Sequence, residues 1–185
     1  MAFAPRTWVV GEIVTASQLN EEIRDQFNAR QVRLVEQMTD ITITTNTTPQ
    51  PTDLAWDVDA GGVYYYWASL SYSATPNSDF RWNWSLPAGS GSSRSIVGFD
   101  PANAAAGVGT GGAVLLRRPA PGTQIIIGGK DNNNPPGDFR MGIDQGVITI
   151  GATPGTARVQ VAQGASHAEQ TIFRAQSTVL YQRIG

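Results

Sequence analysis

Val63-Tyr64-Tyr65-Tyr66-Trp67-Ala68-Ser69-Leu70-Ser71-Tyr72-Ser73 decides the fold. Side chains alternate between faces along a strand, so Tyr64, Tyr66, Ala68, Leu70 and Tyr72 share one side and Val63, Tyr65, Trp67, Ser69 and Ser71 the other. Rings on both sides of its first half predict burial on both, as in a sandwich whose outer face meets another subunit. Upstream, Gly61-Gly62 supplies a turn, and Leu54, Trp56 and Val58 alternate before it. Ile41 and Ile43 alternate with threonines, and Thr47-Thr48-Pro49-Gln50-Pro51 is expected to interrupt the pattern.

Downstream, Phe80, Trp82, Trp84 and Leu86 alternate strictly with Arg81, Asn83 and Ser85. This is the pattern of a one-sided strand, with its tryptophans inside. Residues 87–93 read as a turn-rich loop and 100–112, rich in Ala and Gly, as a long connection. Further strands are expected at 113–117, 123–127, 139–143, 146–150, 157–163 and 178–184, with loops over 128–137 and 152–155. So many short strands predict a mainly β fold: an antiparallel jelly-roll-like β-sandwich over residues 41–185, preceded by an extended arm and one α-helix in residues 1–40.

The arm starts extended at Trp8, Val9 and Val10, turns at Gly11 and enters a helix at Thr15. Thr15 can cap the N–H of Gln18, Gln18 can reach back to Thr15, and Val14 can staple onto Leu19. Leu19, Ile23 and Phe27 follow at four-residue spacing, with Leu34 and Met38 read as continuing the stripe. One apolar face therefore needs a partner, because an isolated helix of this length is marginal in water. That partner is either the chain's own head or another protein. The break at Arg30-Gln31 disfavours a long coiled coil.

Composition narrows the functional classes. The 185 residues contain no cysteine, which excludes disulfides and thiolate metal sites and suits assembly in a reducing cytoplasm. A net charge of −2, with 13 scattered Lys and Arg, argues against nucleic acid as a partner. No signal peptide and no run of about 20 apolar residues is expected, so neither secretion nor a membrane partner is read. Only 15% of residues are charged, while Gly (20) and Pro (11) are plentiful, as in short strands joined by many turns.

The set Trp8, Gly11-Glu12, Val14-Thr15-Ala16, Leu19-Asn20 and Arg24-Asp25 resembles the N-terminal segment shared by many tail-associated and other surface proteins of tailed bacteriophages, especially those of actinobacteria. Tyr72-Ser73-Ala74, then Asp79-Phe80-Arg81 leading to Leu86-Pro87-Ala88-Gly89, resembles the hallmark run of the β-sandwich behind that arm. Gly151-Ala152-Thr153, Gly155-Thr156, Ala162-Gln163 and Arg183-Ile184-Gly185 keep the family's order. The resemblance implies a virion structural protein, assembled in the host cytoplasm, with a trimeric head and other virion proteins as partners. Trp8, Val14, Leu19, Ile23, Phe27, Leu34 and Met38 are the expected attachment and assembly residues. Family resemblance points to a minor tail or fibre protein. Size points to a capsid decoration protein or short head fibre.

Catalytic chemistry finds little purchase. The single histidine, His167, lies in a polar stretch without a triad motif and reads as a surface-loop residue; three copies about a three-fold axis are the only route to a histidine zinc site. Asp57 and Asp59, roughly 7 Å apart by strand rise, match a glycosidase separation but lack companion motifs. Oxygen ligands crowd Asp131 to Asn134 and Asp138 without the EF-hand's Gly and terminal Glu. The expectation is therefore a non-enzyme without cofactor or metal. The alternative of a different class is a host cell-surface glycan-binding adhesin, which needs exposed rings, whereas Trp67, Trp82 and Trp84 are expected in the core.

Overall fold

The computed structural model describes residues 6–101, 114–117 and 123–185. Its strands are β1 Arg33–Glu36, β2 Ile41–Ile43, β3 Gln50–Val58, β4 Val63–Ala74, β5 Phe80–Ser85, β6 Gly91–Phe99, β7 Val114–Arg117, β8 Ile125–Ile127, β9 Arg140–Thr149, β10 Gly155–Gln163, β11 Thr171–Phe173 and β12 Thr178–Arg183. They form two antiparallel sheets. The larger runs β1-β12-β4-β9-β6-β7, with β11 beside β4 and β2 beside β11; the smaller runs β3-β10-β5-β8.

Both β11 and β12 pair with β4, through Phe173↔Tyr72 and Thr178↔Ser69, so they are two halves of one interrupted strand. β1 and β2 flank those halves in the same way. With the β6–β7 excursion set aside, eight strands remain. The larger sheet then holds the first, last, third and sixth, and the smaller the second, seventh, fourth and fifth. That is the winding of a jelly roll. The expected fold class holds, and β6 and β7 widen one sheet of it.

The inner faces follow the alternation read from the sequence. Tyr64, Tyr66, Ala68, Leu70 and Tyr72 from β4 meet Phe80, Trp82 and Trp84 from β5, with Leu54, Trp56, Val159 and Val161 alongside, all buried. Rings do much of the packing: Tyr72 stacks on Phe80 at 4.7 Å, and Trp84 meets Tyr66 edge-on at 4.7 Å and Trp56 at 5.4 Å.

The core also holds a charge. Asp144 on β9 accepts from Tyr66 Oη (2.8 Å), Trp82 Nε1 (2.8 Å), Trp84 Nε1 (3.2 Å) and the Arg94 guanidinium, and so joins the two sheets through hydrogen bonds. Burial and the neighbouring Asp144 charge push the Tyr66 phenol well above its ordinary pKa. The β9 backbone must come close to β6 here: a Cβ on Gly146 would lie 2.2 Å from the Ser93 carbonyl oxygen.

Several local expectations are corrected. The strand at Gly91–Phe99 takes in part of the expected 87–93 loop, because Arg94 on its inward side hides the alternation. The two expected strands at 139–143 and 146–150 are one, β9; Asp144-Gln145-Gly146 reads as a turn only until Asp144 finds its partners. β3 begins at Gln50 and runs through Pro51, which faces a register shift in β10 between Arg158 and Gln160. β11 is too short to be read from alternation. Leu34 and Met38 do not continue a helical stripe: Leu34 lies on β1, opposite Leu180, and Met38 follows that strand. The expected connection at 100–112 falls, from residue 102 onward, outside the described residues.

Candidate assembly surface

The arm folds around one carboxylate. Glu12 accepts from the N–H of Val9 (3.3 Å) and from Gln18 Nε2 (3.2 Å) and pairs with Arg6, so the extended piece is tied to the helix. Gly11 takes φ +87° to make the turn, a conformation that favours glycine. The expected capping box is present: Thr15 Oγ1 accepts from Gln18 N–H (3.3 Å) and Gln18 Oε1 accepts from Thr15 N–H (2.8 Å). The helical segment is α1 Ala16–Leu19, a π-helical stretch Asn20–Asp25 and α2 Gln26–Ala29. A π-helix has more residues per turn than an α-helix, so a four-residue spacing stays near one line.

All seven predicted assembly residues are exposed. Trp8, Val14, Leu19 and Ile23 are about half exposed, as is Leu34, and Phe27 and Met38 are 73% exposed. The helical segment thus carries Leu19, Ile23 and Phe27 exposed rather than packed on its own head. The structure does not unite the seven. Trp8 lies under the Arg6 guanidinium at 5.4 Å, Leu19, Ile23 and Phe27 share the helical segment, and Leu34 belongs to the sheet. The arm meets the head where Gln182 Nε2 donates to the Arg30 carbonyl (2.7 Å).

A second apolar surface starts at that junction. Val32, Tyr65, Trp67, Leu180, Tyr181 and Gln182 line a shallow groove of ≈ 180 Å³ on the outer face of the larger sheet. Trp67 is 44% exposed, against the core position expected for it, whereas Trp82 and Trp84 are buried as expected. Sequence reasoning placed Tyr65 and Trp67 on the outer side of β4 but missed Leu180 and Val32. For Leu180 the signal was alternation in 178–184; for Val32 there was none.

The chemistry weighed from sequence is occupied by structural roles. Asp57 accepts from Thr156 Oγ1 (3.2 Å), and Asp59, beyond the end of β3, pairs with Arg183; both carboxylates line a polar cleft of ≈ 270 Å³ with Gln31, Arg33, Tyr64 and Tyr181. Asp131 accepts from the N–H groups of Asn133 (2.9 Å), Gly137 and Asp138 (2.7 Å), so backbone donors take its oxygens. Burial pushes that carboxyl up, but these donors outweigh it and hold it below its usual value. His167 sits in a loop, where its Nδ1 accepts from Glu169 N–H (3.2 Å). Among the described residues no group of three His, Asp or Glu could hold a metal ion, and no helix is long and apolar enough to cross a membrane.

No family model matches the chain and no curated protein does. Among solved structures it overlaps with the VP2 subviral particle of infectious bursal disease virus at 12% identity and a TM-score of 0.22, over 84% of this chain and 42% of that one. It overlaps with the D431N VP2 protein of the same virus, as T=1 particles, at 13% identity and a TM-score of 0.22, over 83% of this chain and 40% of that one. The chain thus spans less than half the length of either. At these TM-scores the overlap does not bear on function.

Proposed function

We propose that the chain is a non-enzymatic structural protein of a phage virion, a trimeric jelly-roll head that its N-terminal arm fastens to the particle. Its partners are two further copies of itself and another virion protein, and its place is the assembled virion. The observation that carries this reading is the exposure of Leu19, Ile23 and Phe27 on a well-capped helical segment, outside the chain's own core. A helix with an apolar stripe is stable in water only when something covers the stripe. The sequence resemblance of that same segment to phage tail and surface proteins names the kind of particle. Attachment as a minor tail or fibre protein and attachment as a capsid decoration both use the arm in this way.

The test is incorporation into particles that lack the protein. Full-length protein is expected to join them, and a variant carrying Leu19→Glu, Ile23→Glu and Phe27→Glu is expected to stay in solution while its head remains folded. Normal incorporation of that variant would sink the arm reading. Exposure of Tyr65 and Trp67 favours a second reading, a glycan-binding adhesin, since exposed rings beside Gln182 are the parts a sugar face stacks on. Loss of host-cell binding in Trp67→Ala, with incorporation intact, would select it.

A further inference from the structure

We infer that the polar cleft between the edge strands β1 and β3 binds one residue of a neutral sugar. This goes beyond the attachment reading above and uses none of its residues. β1 is an edge of the larger sheet and β3 an edge of the smaller, and the cleft takes side chains from both. In register, Arg33 on β1 faces Tyr181 on β12, and Arg183 on β12 faces Tyr64 on β4, so these four share the inner side of the larger sheet. Asp57 and Asp59 line the cleft from the β3 side. The exposed rings Tyr65 and Trp67 lie on the opposite face of β4 and belong to a different surface.

Charge decides the class of ligand. The lining carries two guanidinium groups and two carboxylates, a formal balance of zero. An anion such as phosphate meets two carboxylates there and a cation meets two guanidiniums, so each is opposed by part of the lining. A polyol needs neither sign. Each of its hydroxyls both donates and accepts, and carboxylates, guanidiniums, phenols and the Gln31 amide supply the complementary groups. The volume of ≈ 270 Å³ falls just under the roughly 300–1,000 Å³ of pockets for drug-sized ligands, which suits one sugar residue rather than a chain.

The walls are set before a ligand arrives, which lowers the cost of binding. Tyr181 stacks on Trp56 at 4.5 Å with the ring planes 13° apart, which makes a rigid aromatic wall. Tyr64 Oη accepts from Asp59 N–H (3.0 Å) and keeps its own proton to donate. Asp59 pairs with Arg183, whose Nε donates to the Gly185 carbonyl (2.9 Å). Asp57 is exposed and accepts from Thr156 Oγ1 (3.2 Å) with lone pairs to spare. Arg33 is exposed too, with a long bond to the Asn28 carbonyl (3.5 Å). These two groups take the sugar's hydroxyls.

Ligand-observed NMR on the full chain tests this with glucose, galactose, mannose and N-acetylglucosamine; inorganic phosphate, calcium chloride and glycine are the other arms. At least one of the sugars is expected to bind at millimolar concentration. Arg33→Ala and Asp57→Ala are each expected to weaken it about tenfold or more while melting like the parent, since both side chains are exposed. Trp67→Ala is expected to bind as the parent does. No binding by any of the four sugars overturns the inference. So does a sugar whose binding both cleft variants keep, or one that Trp67→Ala loses. Phosphate, calcium or glycine binding in place of the sugars overturns the ligand class. The arm variant tests attachment separately, so a failure here leaves that reading standing.

Discussion

Arg94 Nη2 lies 2.6 Å from Asp144 Oδ2 with both side chains wholly buried between the sheets. A buried ion pair seldom adds net stability over apolar residues of the same size, but removing one partner leaves an uncompensated charge. Here the carboxylate also receives two indoles and a phenol, so it organises the centre of the core rather than serving Arg94 alone.

The first prediction separates these roles. Arg94→Ala is expected to cost about 3–5 kcal/mol, because Asp144 stays buried and charged. Replacing both residues by leucine is not expected to restore the parent, since Tyr66, Trp82 and Trp84 then lose their acceptor. Urea denaturation of the singles and the double checks this, and a double variant as stable as the parent would reduce Asp144 to a partner of Arg94.

The second concerns which tryptophans hold the fold. Trp84 is buried, donates to Asp144 and contacts Trp56 and Tyr66, so Trp84→Ala is expected to cost about 3–5 kcal/mol. Trp67→Ala removes a half-exposed ring and is expected to leave the unfolding free energy of the isolated subunit within about 1 kcal/mol. Equal losses at the two sites would show that Trp67 packs inside.

A third prediction uses pH. Burial raises the Asp131 carboxyl, but the N–H groups of Asp138, Asn133 and Gly137 outweigh it and leave the folded pKa below the unfolded value. A depressed carboxylate stabilises the fold above its unfolded pKa, ~3.9, and that stability is lost as pH falls through the folded pKa. Asp131→Asn is therefore expected to melt below the parent at pH 7, with the gap closing as pH falls from about 4 through the depressed folded pKa. A gap that does not change with pH would mean that charge plays no part in the loop.

Much of the architecture was legible because alternation is cheap to read wherever one face is purely apolar, as in Phe80 to Leu86. It failed where the inner face carries function-like residues for structural reasons. Arg94 and Asp144 sit where hydrophobes were expected, so β6 was missed and β9 was split. Trp67 was misplaced for the opposite reason: ring content signals burial, yet only long-range pairing decides whether neighbour or solvent lies outside a sheet. The helical segment was legible through its cap, since capping chemistry is local, but the spacing that tied Leu34 to it was accidental.

The last prediction follows from that accident. β1 belongs to the head, and Gln37 behind it is buried: its N–H donates to the Ser177 carbonyl (2.8 Å), its Oε1 accepts from Asp53 N–H (2.9 Å), and its carbonyl accepts from Gln176 N–H (2.9 Å). Asp40 adds a bond to Arg174 (2.9 Å) and accepts from Ala175 N–H (2.7 Å). Deleting residues 1–31 removes the arm and helix but none of these groups, so the remaining chain is expected to melt within a few degrees of the parent. Deleting residues 1–40 strips an edge strand and strands the partners of Gln37, and is expected to cost several kcal/mol, at ~1–3 kcal/mol for each buried polar group left unpaired. Thermal melts of the two truncations decide it: if both melt alike, β1 and Gln37 contribute nothing to the head, and the boundary between arm and head lies at residue 40 after all.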